Sequence, residues 1–179
     1  AFMESLYSAA SQSEKYLSLF TSTQIKKDLH VEAFLRVLAM SDIYYGKFKS
    51  SKQGIKNILD EYGEQKKSET ISEEVISKLF NSLDQLLEFF EAKKLFRRVN
   101  ENRDIEGILN FGILESLLGV MVFGGYKLPD NFSEKYINRM GQLFDGYLLD
   151  ESHNPFSTST GSVSSIKKRF EIFEGILEK

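Results

Sequence analysis

Residues 105–123 read Ile-Glu-Gly-Ile-Leu-Asn-Phe-Gly-Ile-Leu-Glu-Ser-Leu-Leu-Gly-Val-Met-Val-Phe, and only Glu106 and Glu115 among them carry charge. A helix that is apolar on nearly every side has no face suited to water, so other elements must surround it. The stretch therefore predicts a central helix over residues 105–123, with the rest of the chain packed around it.

The same stretch is almost long enough to cross a bilayer, which takes about 20 apolar residues. Glu115 in its middle argues against that alternative, because a carboxylate at the centre of a membrane loses its hydration. Gly107, Gly112 and Gly119 would let neighbouring helices approach closely in either solvent. Since the other predicted helices are strongly amphipathic, we expect a buried core helix rather than a membrane span.

The composition is that of one globular domain without disulfides. The chain has 179 residues, of which 41% are hydrophobic and 27% charged, with 15 phenylalanines and no tryptophan. A formal net charge of −3 argues against a surface that is basic throughout but permits a local basic patch. The absence of cysteine excludes thiolate chemistry. The absence of cysteine, together with the lack of a signal-peptide pattern at the N-terminus, predicts a reducing, cytoplasmic location.

Helical periodicity predicts an all-α fold, an irregular bundle of about six to eight helices in a single domain over residues 1–179. Residues 1–27 predict peripheral short helices, with Ser13 as a candidate N-cap. Ser72 and Ser162 are candidate N-caps of later helices, and Asp104 is the candidate N-cap of the central one. The longer helices are predicted over residues 28–44, 54–65, 72–96, 133–148 and 163–178.

Glu32 and Arg36 lie four residues apart on the narrow polar strip of the helix predicted over residues 28–44. This is the favourable order for an ion pair within a helix. In so apolar a helix the pair would be partly buried and would fix the packing. The alternative is a role in binding a ligand or a partner.

Two groups of basic residues stand out, one near the end of the helix predicted over residues 72–96 and one in the last helix. Cations near a helix C-terminus interact favourably with its exposed carbonyl groups, which explains the first group in structural terms. The alternative is a surface that contacts nucleic-acid phosphates. The candidate contact residues are Lys93, Lys94, Arg97, Arg98, Lys167 and Lys168.

Residues 150–162 form the one long irregular segment that the sequence predicts. Its Ser157-Thr-Ser-Thr-Gly-Ser run leads into the last helix, where small residues with free amides could hold an anion. The glycine spacing is not that of a phosphate-binding loop, so a flexible loop capped by Ser162 is the simpler interpretation. His153 and His30 are the two histidines and predict neither a metal cluster nor a catalytic pair. Searches for dinucleotide-binding, Walker, zinc-protease and nucleophile-elbow motifs find none, so no catalytic residue is assigned.

The order of the motifs resembles a known family. Its elements here are Glu32-Ala-Phe-Leu-Arg-Val-Leu-Ala-Met, Tyr44-Tyr-Gly-Lys-Phe, Leu95-Phe-Arg-Arg, the apolar helix and the terminal Ser157-Thr-Ser-Thr-Gly-Ser-Val-Ser-Ser-Ile-Lys-Lys-Arg-Phe. From about residue 28 onward the chain is similar to the helical second half of the ParB-like, GmrSD-type restriction endonuclease N-terminal domain family. In that family a Glu-x-x-Leu-Arg-Phe-x-Ala helix and a terminal Thr-Gly-Ser…Arg helix recur.

The resemblance implies a role in defence against foreign, often modified, DNA. Family members are nucleotide-dependent endonucleases, whose nucleotide chemistry is associated with a ParB-like half carrying an Asp-Gly-Gln-Gln-Arg motif. That motif is not found here, so we expect a fragment of a longer multidomain protein that has no catalytic activity by itself. A nucleotide cofactor is expected only together with the ParB-like half, in the same or another chain. By resemblance, the candidate contacts to that half, to nucleotide or to DNA are Glu32, Arg36, Thr160, Gly161, Ser162 and Arg169.

Three functions remain open at this point. The first is a helical accessory domain of a DNA-targeting defence protein, with the ParB-like half and DNA as partners and no membrane. The second is a protein–protein interaction bundle with no nucleic-acid role. The third is an enzyme in its own right, for which a pocket of convergent acidic or histidine groups would be needed.

Overall fold

The computed structural model describes residues 1–150, 154–157 and 160–179, including all of their side chains except those of residues 146–150. The fold is all-α, as predicted, and nine helices lie within these described residues. The helices are α1 (Phe2–Ser11), α2 (Glu14–Leu17), α3 (Ser22–Lys26), α4 (Leu29–Tyr44), α5 (Ile55–Lys66), α6 (Glu73–Leu87), α7 (Phe111–Val122), α8 (Phe132–Asp150) and α9 (Val163–Ile176). The predicted His153 lies outside the described residues, as do positions 158 and 159 of the serine-rich run.

The central helix is shorter than predicted. The helix α7 begins at Phe111 rather than at residue 105, and Ile105–Glu106 instead form a strand, β2, antiparallel to β1 (Arg98–Val99). Gly107 follows with φ +89°, a left-handed conformation that interrupts any helix. Asn110, and not Asp104, is the N-cap, since its side chain accepts a hydrogen bond from the backbone N–H of Ile113 at 3.0 Å.

The prediction of a buried centre is confirmed. Every residue of α7 from Gly112 to Val122 is buried, and Leu109 just before the helix is 5% exposed. The helix packs against α4, α6 and α9. The described helices include none with the length and apolarity that a membrane span needs.

The helix α6 is also shorter than its apolar pattern predicts, because it ends at Leu87 rather than near residue 96. The following residues form turns, and Phe96 adopts φ +61°, which no helix allows. Leu95 and Phe96 are nevertheless buried, so the apolar pattern continues through a non-helical segment. Lys93, Lys94, Arg97 and Arg98 therefore do not lie in a helical C-terminal turn, and the predicted interaction with a helix dipole does not apply to them.

The remaining boundaries agree closely with the sequence. Ser13, Ser72 and Ser162 each cap a helix, as predicted, by accepting a backbone N–H three residues ahead. The N-terminal segment packs α1 against α4 and contributes Phe2, Leu6, Ala9 and Ala10 to the main core.

Close approach of three helices depends on Gly119 in α7. A Cβ atom at this position would lie 2.5 Å from Ser41 Oγ of α4 and 2.7 Å from the Phe170 ring of α9. Both neighbours are fully buried, so neither has space to withdraw. The glycine therefore sets how closely α4 and α9 approach the central helix.

We predict that Gly119→Ala lowers the free energy of unfolding by about 1–3 kcal/mol, because the added methyl group overpacks this contact. Urea denaturation followed by circular dichroism measures the change. The matched control is Gly63→Ala in α5, where a new Cβ meets nothing within 4 Å. The control should be neutral or stabilising by up to about 1 kcal/mol. A Gly119→Ala protein as stable as the wild type would contradict the packing described here.

Candidate functional site

A carboxylate lies at the centre of the bundle between two arginines. Glu115 of α7 is fully buried; its Oε1 accepts a hydrogen bond from Arg169 Nη2 of α9 at 2.6 Å, and its Oε2 accepts one from Arg36 Nε of α4 at 2.5 Å. The Glu115 and Arg169 side chains are 0% exposed, and that of Arg36 is 11% exposed. We call these three residues the Glu115 triad. It joins three helices through charge-assisted hydrogen bonds, which are stronger than neutral ones.

Arg169 also holds the loop that precedes its own helix. Its Nη1 donates to the carbonyl oxygens of Pro155 at 2.9 Å and Thr160 at 3.0 Å. One guanidinium thus connects the central carboxylate to both described parts of the segment between α8 and α9. Gly112 lies against the Arg169 side chain, since a Cβ there would come within 3.1 Å of Arg169 Cδ.

The Glu115 triad carries two positive charges and one negative charge. Arg36 reduces this imbalance by lying over the Phe111 ring, with its guanidinium carbon 5.5 Å from the ring centroid, and by retaining some contact with solvent. Arg169 has no contact with solvent, and its Nε is buried without a hydrogen-bond partner among the described residues. Removing the one carboxylate would leave two uncompensated cations in or near the core.

The predicted ion pair between Glu32 and Arg36 is replaced by this longer-range one. Arg36 pairs with Glu115, 79 residues away in the sequence, and no ion pair joins it to Glu32 in the described part of the chain. From the sequence alone, Glu115 argues against a membrane span but reveals no partner. A lone carboxylate in an apolar helix already signals a buried partner, because such groups are almost never fully buried unpaired.

The predicted anion-binding residues occupy the entrance to α9. Ser162 is committed to capping the helix, and the Thr160 carbonyl to Arg169. Gly161 packs closely on the backbone of Gly54 and Ile55 at the start of α5, where a Cβ would come within 2.9 Å. A depression of about 610 Å³ lies between Ser50–Gly54 and Gly161–Val163. In the part of the chain that the structure describes, the contacts of Ser162 and Gly161 are thus capping and packing contacts.

The predicted nucleic-acid contacts divide into structural and free cations. Arg97 is half-buried and donates to the carbonyl oxygens of Ala92, Leu95 and Gly107, which fixes the turns after α6. Four ammonium groups are exposed and have no described partner, those of Lys93, Lys94, Lys167 and Lys168.

One residue from each basic group lies beside the same loop. Arg98 Nη1 donates to the Ser157 hydroxyl at 2.8 Å, while Lys168 lines a groove with Pro155 and Arg139. Arg98 and Lys168 therefore flank residues 154–157. Arg103 is not available in the same way, because it forms a partly exposed ion pair with Asp145 at 2.6 Å.

A second polar cluster, which the sequence did not reveal, surrounds Glu174 of α9. Tyr44 donates its hydroxyl to Glu174 Oε1, and Tyr45 donates to Oε2 at 3.3 Å. Burial, followed by the nearby Glu174 carboxylate, raises the pKa of both tyrosine hydroxyls above their ordinary value. At neutral pH both tyrosines are protonated donors rather than nucleophiles, so the cluster fastens α4 to α9.

Within the described ranges, no group of three or more histidine, aspartate or glutamate side chains could hold a metal ion. Comparisons of the chain with protein-family models, with curated proteins and with solved structures found no match.

We predict that Glu115→Gln lowers the free energy of unfolding by about 3–5 kcal/mol, because it leaves two guanidinium groups without their buried counter-ion. The matched control is Asp145→Asn, which breaks the partly exposed Arg103–Asp145 pair and should change stability by about 0–1 kcal/mol. Urea denaturation of the two variants measures both values. Equal effects of the two substitutions would contradict a structural role for the Glu115 triad.

We further predict a loss of stability at alkaline pH from the buried tyrosines. Burial raises the pKa of the Tyr16 hydroxyl above its ordinary value of 10.0. The native state thus holds its proton where the unfolded state loses it, so this contribution is complete below pH 10 and is lost as the pH rises above it. Well above pH 10, Tyr16→Phe should remove about 1.4 kcal/mol per pH unit from the slope of unfolding free energy against pH.

The comparison variant is Tyr7→Phe. Tyr7 is exposed and its pKa is raised chiefly by a hydrogen bond to Asp28, so this variant should reduce the same slope by less than Tyr16→Phe does. Urea titrations at a series of pH values between about 9 and 11 give both slopes. A Tyr16→Phe slope identical to that of the wild type would show that Tyr16 titrates freely in the native state.

Proposed function

We propose that this chain is the helical accessory domain of a GmrSD-like, DNA-targeting defence protein, and that it supports a nucleotide- and DNA-handling ParB-like half in the cytoplasm. The supporting observation is that the two stretches carrying the family resemblance meet at one residue. Arg36 belongs to the Glu-x-x-Leu-Arg stretch and Arg169 to the Thr-Gly-Ser…Arg stretch, and both bind Glu115. Two stretches far apart in the sequence would recur together in a family if each must supply an arginine to the same buried ion cluster.

The proposed role is one of positioning. Arg169 binds the Thr160 and Pro155 carbonyl groups, so the Glu115 triad fixes the loop that carries Thr160, Gly161 and Ser162. We infer that this entrance to α9 is where the ParB-like half docks. A nucleotide would be held by that half, and this chain would supply no catalytic residue.

The proposed DNA contact is the cationic surface around residues 154–157. Arg98 and Lys168 flank this loop, and the exposed Lys167 is next to Lys168 in α9. Lysine and arginine side chains with no carboxylate partner are suited to phosphate oxygens, which position a protein on DNA without reading its sequence. Lys93 and Lys94 would extend the surface beyond Arg98.

A non-catalytic protein–protein interaction bundle with no nucleic-acid role is the second candidate. The observation favouring it is an apolar strip on α1, where Met3 and Tyr7 lie one turn apart and are 46% and 41% exposed. Exposed apolar residues that adjoin one another often mark a partner site. Light scattering of the chain alone and a pull-down against a ParB-like half distinguish this candidate from the first.

We predict that the chain binds duplex DNA at low salt and that binding weakens steeply as salt rises, because phosphate contacts release counterions. Changing Lys93, Lys94, Lys167 and Lys168 to Gln should weaken binding at least roughly tenfold. It should also reduce the slope of log affinity against log salt by about 0.9 for each phosphate that the variant no longer neutralises. Filter binding or fluorescence anisotropy at about 50–200 mM salt measures both quantities.

The matched control changes four other exposed lysines to Gln, Lys26, Lys27, Lys47 and Lys49, and so removes the same charge. It should bind DNA nearly as well as the wild type. No DNA binding by the wild-type chain at low salt would remove the direct-contact form of the proposal. Equal weakening by both variants would show that net charge, rather than this surface, governs binding.

A further inference from the structure

A cavity of about 400 Å³ opens between the β1–β2 hairpin, α8 and the loop 154–157. Its volume lies within the range of about 300–1,000 Å³ found for small-molecule sites. At about 30 Å³ for each water of the liquid, it has room for roughly a dozen waters or atoms of similar size. Neither the Glu115 triad nor the Glu174 cluster contributes to its walls.

The floor of the cavity is apolar and rigid. Val99, Met140 and Phe156 line it and are each less than 5% exposed, since their other sides are packed into the core. Phe156 packs edge-to-face on Phe173 of α9, with ring centroids 5.8 Å apart. The Val99 strand and the Phe156 loop are held together by the hydrogen bond from Arg98 to Ser157. An apolar group could therefore enter without rearrangement of the floor.

An isoleucine stands at the mouth of the cavity. Ile108 lines it and is 81% exposed, the highest exposure among the large hydrophobic residues described. It is held there by the backbone, because Gly107 turns the chain with φ +89° and Leu109 is buried directly after it. A ligand in the cavity would cover Ile108 and continue the apolar floor outward.

The polar rim of the cavity is rich in hydrogen-bond donors. Arg98 donates to Ser157 and has no ion-pair partner among the described carboxylates. Asn100 uses its Oδ1 to accept the backbone N–H groups of Asn102 and Asp104, which leaves its amide N–H groups as the part available to a ligand. The Glu106 carboxylate is also on the rim, opposite Arg98 in the hairpin register, and it opposes an anionic ligand.

We propose that this cavity binds a small carboxylic acid with an apolar body. The hydrocarbon part lies on Val99, Met140 and Phe156 beneath Ile108, and the carboxylate accepts hydrogen bonds from the Arg98 guanidinium and the Asn100 amide. The Arg98 guanidinium, which is exposed at the mouth and has no ion-pair partner among the described carboxylates, selects an anion over a cation, because a charge-assisted hydrogen bond is stronger than a neutral one. This inference does not depend on the function proposed above.

The test is a titration of the ¹⁵N-labelled chain with sodium octanoate, followed by two-dimensional NMR. We expect saturable shifts in the backbone amides of Val99, Asn100 and Ile108. Octylammonium chloride has the same apolar chain with a positive end, and it should bind at least roughly tenfold more weakly. Absence of saturable shifts with octanoate up to about 10 mM, or equal binding of the two probes, would overturn the proposal.

Three surface variants and one control variant locate the site without disturbing the core. Arg98→Gln should weaken octanoate binding at least roughly tenfold, and Glu106→Gln should strengthen it, because one removes the attracting charge and the other the repelling one. Ile108→Ser should weaken binding about threefold or more, whereas Val163→Ser, another exposed apolar residue that lies outside this cavity, should leave it unchanged. Unaltered affinity in Arg98→Gln, or equal losses in the two serine variants, would contradict the assigned site.

Discussion

The carboxylate of Glu115, buried between Arg36 and Arg169, is the interaction on which the rest of the structure depends. Apolar contacts are not directional, so the charge-assisted hydrogen bonds add a directional constraint to the packing of α4 and α9 on α7. Two charge-assisted hydrogen bonds at 2.5 and 2.6 Å fix both helices at one register. The same Arg169 then holds the Thr160 carbonyl, so the constraint extends from the core to the surface loop.

This constraint also gives a physical meaning to the sequence pattern. The arginine of the Glu-x-x-Leu-Arg stretch and the arginine that follows Thr-Gly-Ser both pair with Glu115 in one cluster. Gly112 and Gly119 complement it by allowing the Arg169 side chain and Phe170 to lie directly on α7. These contacts hold α9 and the loop before it against α7.

Much of the fold could be predicted from the sequence, and the errors have local causes. Helical periodicity predicts α4 to within one residue of its observed bounds, because the helix ends where its apolar pattern ends. It extended α7 and α6 too far, because Leu109 and Phe96 are buried and continue the apolar pattern in segments that are not helical. Apolar residues occur both in buried helices and in buried segments that are not helical, so composition does not distinguish the two. The backbone conformation does, as φ +61° at Phe96 shows.

The candidate site is less predictable than the fold, because its residues are far apart in the sequence. Sequence spacing indicates partners four residues apart on a helix, and it therefore predicts a pair between Glu32 and Arg36. The actual partner of Arg36 is 79 residues away, and only the packing of α7 on α4 brings them together. The cavity beside Arg98 was equally hidden, since the hairpin, α8 and a loop contribute its walls from three separate stretches.

The most direct test of the central role of Glu115 is a double-mutant cycle on the two arginines of the Glu115 triad, with Arg36→Met and Arg169→Met made singly and together. The unfolding free energies of the four proteins give the coupling between the two sites. We expect the double variant to lose more stability than the sum of the single losses, by about 1–3 kcal/mol, because only then is Glu115 buried with no cation. Additive losses, agreeing within about 0.5 kcal/mol, would contradict a shared carboxylate as the centre of the fold.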